Sequence, residues 1–503
     1  MSSNANLYAL IAEAFPVDLQ ADCLITAHGA NYSWSDLDQA SGKIANLLHS
    51  LDLPTGSRIA VQVEKSPEAL LLYLAALRAG LIFIPLNTAY HSAEVRYFIE
   101  DAQPAVVVCS PKNFGWLAQL AFSLGCGHVF TLDDTLPNQG SLLQRAAPLS
   151  GTFQTVHREP DEIASILYTS GTTGKSKGAM LSHGNLSSNA LALKSAWQWR
   201  GDDVLLHSLP LFHVHGLFIS CHVALLSGSR MIFLPRFDPA QVLKYLPQCT
   251  VMMGVPTYYV RLLAQEQFTG AVCNSVRLFI SGSAPLLEET FNSFRQRTGH
   301  TILERYGMSE TNIIASNPCL GERRGGTVGL PLPGVEVRIV NDDGELCDID
   351  SIGHIQVRGP NVFKGYWNMP DKTAQEFSGD GFFKTGDLGK FDQQGYLSIV
   401  GRSKDLIISG GYNIYPKELE LILDAMPGIV ESAVIGIPHK DFGEVVCAVL
   451  VCSQPVDTDQ LIATLKKQIA NFKVPKKMVI MQELPRNSMG KVQKNSLRDQ
   501  FSF

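Results

Sequence analysis

Tyr168-Thr169-Ser170-Gly171-Thr172-Thr173-Gly174-Lys175-Ser176-Lys177-Gly178 follows the apolar run Ile163-Ala164-Ser165-Ile166-Leu167. The run predicts a buried strand, so the polar segment is a loop hung from a strand end. Its glycines let backbone approach an anion closely. N–H groups, hydroxyls and lysine charge can then wrap a polyphosphate. The segment is not a Walker A loop. G-x-x-x-x-G-K-[ST] ending at Gly174-Lys175-Ser176 needs glycine at position 169, where this chain has Thr169.

Working outward, the alternation of strand and helix patterns continues on both sides. Arg58 to Val63 predicts a strand. Ser66-Pro67-Glu68 then supplies an N-cap, a proline at the first helical position and an acid in the first turn. That helix runs through Leu70 to Leu77 and stops at Gly80. Leu81 to Pro85, a helix over Ser92 to Asp101, and the strand Ala105 to Cys109 follow. Such alternation implies crossover connections and buried parallel sheets. The pattern returns at Val276 to Ile280, which leads into Ser281-Gly282-Ser283-Ala284-Pro285. Beyond Gly329 to Gly334 the texture changes to short alternating runs, Val335 to Val340 and Gly353 to Val357, which predict antiparallel strands. Past Gly401-Arg402-Ser403-Lys404-Asp405 lies a last unit, with helices over Pro416 to Ala425 and Asp457 to Ala470 and strands over Ser432 to Ile437 and Val445 to Val451.

A chain of 503 residues is too long for one core. Its 45% hydrophobic and 17% charged residues describe an ordinary globular protein. A net charge of -6 argues against nucleic acid or an anionic membrane as the main partner. The 10 cysteines form no C-x-x-C pair, and several lie in apolar runs, as Cys109 does, so buried reduced thiols are expected. The N-terminal residues lack the pattern of a secretory signal and no stretch suits a membrane span, so a cytoplasmic protein is expected.

The 168–178 loop resembles the phosphate loop of the acyl-adenylate-forming superfamily, in which the usual form has proline where this chain has Ser176. Further motifs in family order cover nearly the whole chain. The resemblance implies an α/β fold. A large N-terminal domain, 1–401, would hold two αβ-sheet subdomains and a small β subdomain. A hinge at 402–404 would lead to a small mobile α+β domain, 405–503. It also implies an AMP-forming acid–thiol ligase with ATP and CoA as cosubstrates and Mg²⁺ as cofactor. Thr169, Ser170, Gly171, Thr172, Thr173, Gly174 and Lys177 would hold phosphates. In Arg305-Tyr306-Gly307-Met308-Ser309-Glu310-Thr311, Tyr306 would stack on adenine and Glu310, with Thr173, would hold the metal. Asp387, in Phe383-Lys384-Thr385-Gly386-Asp387-Leu388, would accept both ribose hydroxyls. Arg402 would contact the nucleotide, Lys404 would be the pivot, and Gly410 and Gly411 would line the CoA thiol tunnel. Lys491, in Pro485-Arg486-Asn487-Ser488-Met489-Gly490-Lys491, would stabilise the attack of a carboxylate on the α-phosphate, where both reactants are anionic. His213, in Pro210-Leu211-Phe212-His213-Val214-His215-Gly216, would sit between acyl pocket and thiol tunnel.

Arg305 departs from many aryl- and fatty-acyl-activating members, which carry a small residue there. A buried guanidinium facing an apolar tail would be left uncompensated, at a cost of several kcal/mol. It makes sense if the acid brings a second carboxylate, which a guanidinium fork pairs bidentately. An ion pair with Glu304 would account for the same residue without any substrate. His207 and Ser281 are the expected polar neighbours. The phrases around Arg305, Gly359 to Trp367 and Leu484 to Lys494 are similar to those of members that activate malonate. Methylmalonate or another short acid is the alternative. Only small-molecule partners (malonate, ATP, CoA) are expected, and the sequence leaves the oligomeric state open. A P-loop kinase would need the loop that fails at Thr169, and a non-catalytic nucleotide binder would not need the full catalytic set.

Overall fold

The computed structural model describes residues 4–27, 29–133, 139–169, 176–409, 412–440, 442–487 and 490–501. Among them the chain forms four sheets. The first has six strands in the order His128–Thr131, Val106–Cys109, Arg58–Gln62, Ile82–Pro85, Ile163–Thr169, Lys177–Ser182. Its neighbours are parallel up to Ile163–Thr169, and only the last pair is antiparallel. That antiparallel pair lies at the sheet edge and places Thr169 opposite Lys177. The helix Pro67–Arg78 begins as its sequence requires. Ser66 Oγ accepts Ala69 N at 3.1 Å, with proline in the first turn.

The second sheet has nine strands. A parallel centre, Leu303–Met308, Leu278–Ser281, Val251–Gly254, Val204–His207, Arg230–Phe233 and Asp22–Thr26, carries antiparallel strands at both edges. The strand Leu303–Met308 carries Arg305 and Tyr306 in its middle. Antiparallel pairing with Asn312–Ser316 extends it, with a bulge between Tyr306 and Gly307. One large core, from Leu7 to Leu397, fills the space between the two sheets, and smaller cores cover their outer faces.

The third sheet is antiparallel: Glu336–Val340, Gly353–Arg358, Phe383–Phe391 and Leu397–Arg402. The small C-terminal domain is built on the fourth. There Ile429–His439 pairs with Gly443–Cys452, which also pairs with Lys477–Met481. Alternate residues serve two cores, as a strand's two-residue period demands. Val434, Val446 and Leu450 face Leu419, Leu423 and Leu465, whereas Ile435, Cys447 and Val449 face Leu484 and Leu497. The cysteines are all free thiols, and Cys23, Cys109, Cys126, Cys221, Cys249, Cys273 and Cys447 are buried. Among the described residues no helix is long and apolar enough to cross a membrane.

Candidate active site

The ends of the sheets meet where the motifs converge. Phe383–Phe391 and Leu397–Arg402 place Asp387 directly opposite Arg402, and Arg402 Nε lies 2.9 Å from Asp387 Oδ1. Tyr306 OH, arriving from the nine-stranded sheet, donates to Asp387 Oδ2 at 2.5 Å. Burial first, then the Asp387 charge, pushes the Tyr306 phenol far above its ordinary value. Asp387 in turn raises the Arg402 guanidinium. The expected nucleotide residues Tyr306, Asp387 and Arg402 thus form one bonded cluster.

Glu310 lies beside it, buried, with Oε1 accepting Tyr366 OH at 3.0 Å. Burial raises its carboxyl, opposed by the charges of Lys177 and Arg402. Lys177 Nζ stands 4.1 Å above the Tyr366 ring. Among the described residues no group of three or more His, Cys, Asp or Glu side chains could hold a metal by itself. A single buried carboxylate does suit Mg²⁺, which takes one or two protein ligands and completes its shell with phosphate and water oxygens. Tyr366 was quoted in the sequence phrases without a role, and its hydroxyl and ring tie Glu310 to Lys177. Thr169 ends its strand with Oγ1 3.5 Å from Lys177 O. Ser170, Gly171, Thr172, Thr173, Gly174, Gly410 and Gly411 lie outside the described residues.

The C-terminal domain contributes Lys491. Burial, then Arg402, lowers its ammonium to about 8, and Lys491 in turn acts on His213. Its loop is tied locally: Lys491 N donates to Asn487 Oδ1 at 2.9 Å and Asn487 N to Lys491 O at 3.0 Å. Gly490, at φ +74°, packs against the large domain, where an added Cβ would lie 3.1 Å from Thr257 Oγ1. Thr257 had no motif to announce it. Lys404 is exposed, in a 3₁₀ turn Ser403–Asp405 whose Asp405 pairs with Arg498 at 2.7 Å.

At the other end of the cleft Arg305 is 5% exposed, and its Nε and Nη2 have no partner. Glu304 is not that partner. Strand neighbours point to opposite faces, and Glu304 Oε1 instead accepts Leu286 N at 3.0 Å. Burial holds the Arg305 guanidinium below its ordinary value. Gly282 lies flat against it: a Cβ there would come within 2.5 Å of Arg305 Cζ, so a larger residue would displace the guanidinium. Ser281 Oγ is fully buried and unpartnered. His215 is fully buried, with Nε2 unpartnered and Nδ1 3.2 Å from Ser283 Oγ. Burial, then Arg305, depresses the His215 imidazole, and the same causes lower His213 to about 4. Both are therefore neutral near pH 7.

His207 does not offer a nitrogen to the cleft. Its Nδ1 is 2.6 Å from Lys65 Nζ and its Nε2 is 2.8 Å from Gly216 O. His215, two residues beyond the histidine picked from the motif, instead has a buried Nε2 without a partner and feels the Arg305 charge. The signal for it was the paired histidines of Phe212-His213-Val214-His215.

Residues 12–367 match the AMP-binding enzyme family, and residues 418–491 match its C-terminal domain. The chain belongs to the AMP-binding enzymes. Within that family it is similar to ATP-bound MatB from Rhodopseudomonas palustris, with a TM-score of 0.97 and 51% identity over 99% of each chain. A malonate–CoA ligase from Arabidopsis thaliana is 33% identical over 94% of this chain and 85% of the relative. An indoleacetate–CoA ligase from Aromatoleum aromaticum is 35% identical over 93% of this chain and 92% of the relative. Family relatives at similar identity thus carry names with different acids.

Proposed function

We propose that this AMP-binding enzyme activates malonate with ATP, forming malonyl-AMP and pyrophosphate, and then transfers the acyl group to CoA. The observation that carries the acid is Arg305: a buried guanidinium with Nε and Nη2 unpartnered, beside the unpartnered Ser281 Oγ and His215 Nε2. A second carboxylate supplies the acceptors these donors lack.

In the first step one carboxylate oxygen of malonate attacks the α-phosphorus of ATP, and pyrophosphate leaves. Lys491 carries positive charge toward the oxygens that gain negative charge. Asp387 holds the ribose hydroxyls, Tyr306 presents its ring to adenine, and Arg402 contacts the nucleotide. Lys177 and the loop from Thr169 through Gly174 hold the phosphates. Glu310, with Thr173, would hold Mg²⁺, which supplies charge neutralisation on the phosphates when bound. The distal carboxylate rests on Arg305. In the second step the 405–503 domain turns about the 402–404 hinge at Lys404 and withdraws Lys491. It brings Gly410 and Gly411 to the cleft, with His213 between acyl group and thiol. The CoA sulfur then attacks the acyl carbon, and AMP leaves.

The test is pyrophosphate release over C2 to C8 mono- and dicarboxylates, with and without CoA, for the wild type and Arg305→Gly. Malonate activity is expected to fall far more than activity toward a monocarboxylate of similar size. A uniform loss, or a wild type that prefers monocarboxylates, would overturn the choice of acid.

A further inference from the structure

Lys65 follows the strand Arg58–Gln62 of the six-stranded sheet, and its side chain crosses to the nine-stranded sheet. Nζ lies 2.6 Å from His207 Nδ1, 2.8 Å from His207 O and 4.2 Å from the centre of the Phe233 ring. Among the described residues Lys65 has no carboxylate partner. Burial pushes its ammonium well below the ordinary lysine value. A partly buried amine held by a ring nitrogen, a carbonyl and a π face is an unusual way to tie two sheets together.

The arrangement decides the protonation of His207. Gly216 O, 2.8 Å from Nε2, can only accept, so the neutral ring carries its proton on Nε2 and leaves Nδ1 to accept from Lys65 Nζ. Gly216 belongs to the π-helical segment His215–Cys221, whose Ser220 Oγ donates back to His215 O at 2.7 Å. Single π-turns of this kind gather at functional sites. An added Cβ on Gly216 would come within 2.0 Å of Pro210 O, so the segment has no slack. The same segment presents His215, whose largest charged neighbour is Arg305.

We propose that Lys65 is a positioning residue for the acyl end of the site. It holds the His207 ring by its accepting Nδ1 and its carbonyl, and through the Nε2–Gly216 carbonyl bond it fixes the His213–Gly216 segment facing Arg305. The segment so placed favours acids that carry a second carboxylate. This last part rests on the dicarboxylate reading above. The holding of the ring does not.

The experiment uses the full-length protein with malonate and propionate as acids and pyrophosphate release as the signal. Lys65→Met is expected to raise the malonate KM about tenfold, equivalent to about 1.4 kcal/mol, while the KM for ATP stays within about twofold. Propionate activity is expected to change much less. Lys65→Met/His207→Gln should lose little more than either single variant, because both break one chain of contacts. Fully additive losses, or equal losses on both acids, would overturn the proposal. Imidazole nitrogen NMR of histidine-labelled wild type should show His207 with protonated Nε2 and accepting Nδ1; the opposite tautomer would also overturn it. Where Lys65→Met does not fold, the comparison passes to His207→Gln against His207→Asn. Gln keeps a donor near the Nε2 position and should hold malonate preference better than Asn, and equal loss would count against the chain. A wild type that does not prefer malonate to propionate would sink the dicarboxylate reading and leave the NMR result standing.

Discussion

The two ends of the cleft differ in how they satisfy their polar groups. At the nucleotide end each named carboxylate has a partner: Asp387 holds Tyr306 and Arg402, and Glu310 holds Tyr366. At the acyl end Arg305 Nε and Nη2, His215 Nε2 and Ser281 Oγ are buried with none. Leaving a buried donor unmade costs about 1–3 kcal/mol and more for a charged group, and on the proposed reading a ligand carboxylate would remove that cost. A ribose at the nucleotide end must instead exchange with bonds already made. The first end is poised for stability and the second for selection among acids.

The largest expected break of this contrast comes from the group that serves both ends. Lys491→Ala is expected to lower acyl-AMP formation by about 10²–10³-fold or more, while thioester formation from supplied malonyl-AMP survives. Single-turnover assays of each half-reaction check it, and equal loss in both would remove Lys491 from the first step. The same residue carries a pH dependence. Its ammonium is lowered to about 8, so its charge is complete below that pH and is lost as pH rises through it. kcat/KM for ATP, which reports the free enzyme, should fall by about tenfold per unit above that pH. Lys491→Ala should lack that limb.

Next in size is Arg305→Met. If the acyl end is unsatisfied without its acid, removing the cation should leave the ligand-free protein as stable or more stable, by about 1–4 kcal/mol. Thermal unfolding without substrates measures this, and a large destabilisation would place Arg305 among structural groups. The smallest effect belongs to Tyr306→Phe. It deletes one hydroxyl at the satisfied end and should cost about 1–2 kcal/mol of stability with the ratio of malonate to monocarboxylate activity unchanged. A shift in that ratio would dissolve the distinction between the two ends.

Much of this could be read from local chemistry. Ser66-Pro67-Glu68 started a helix because capping is a local bond, and four strands of the six-stranded sheet, Arg58–Gln62, Ile82–Pro85, Val106–Cys109 and Ile163–Thr169, showed as short runs, whereas His128–Thr131 and Lys177–Ser182 did not. Arg305 stood out because the resemblance puts a small residue at that position, and a guanidinium in an acyl pocket needs a second anion. What sequence did not show depends on register and on contacts between distant segments. The extension of Leu303–Met308 comes from pairing with Asn312–Ser316. His207 was a reasonable substrate contact until Lys65, 142 residues earlier, was found on its Nδ1. The docking of Gly490 on Thr257 joins two domains and leaves no trace in either local pattern.

Asp387 and Arg402 face each other across one rung of a ladder, and Arg402 immediately precedes the turn that begins at Ser403. The carboxylate proposed to grip the ribose is therefore bonded to the residue just before the proposed pivot. On that reading a bound sugar and the hinge would share one carboxylate, with no long relay between them.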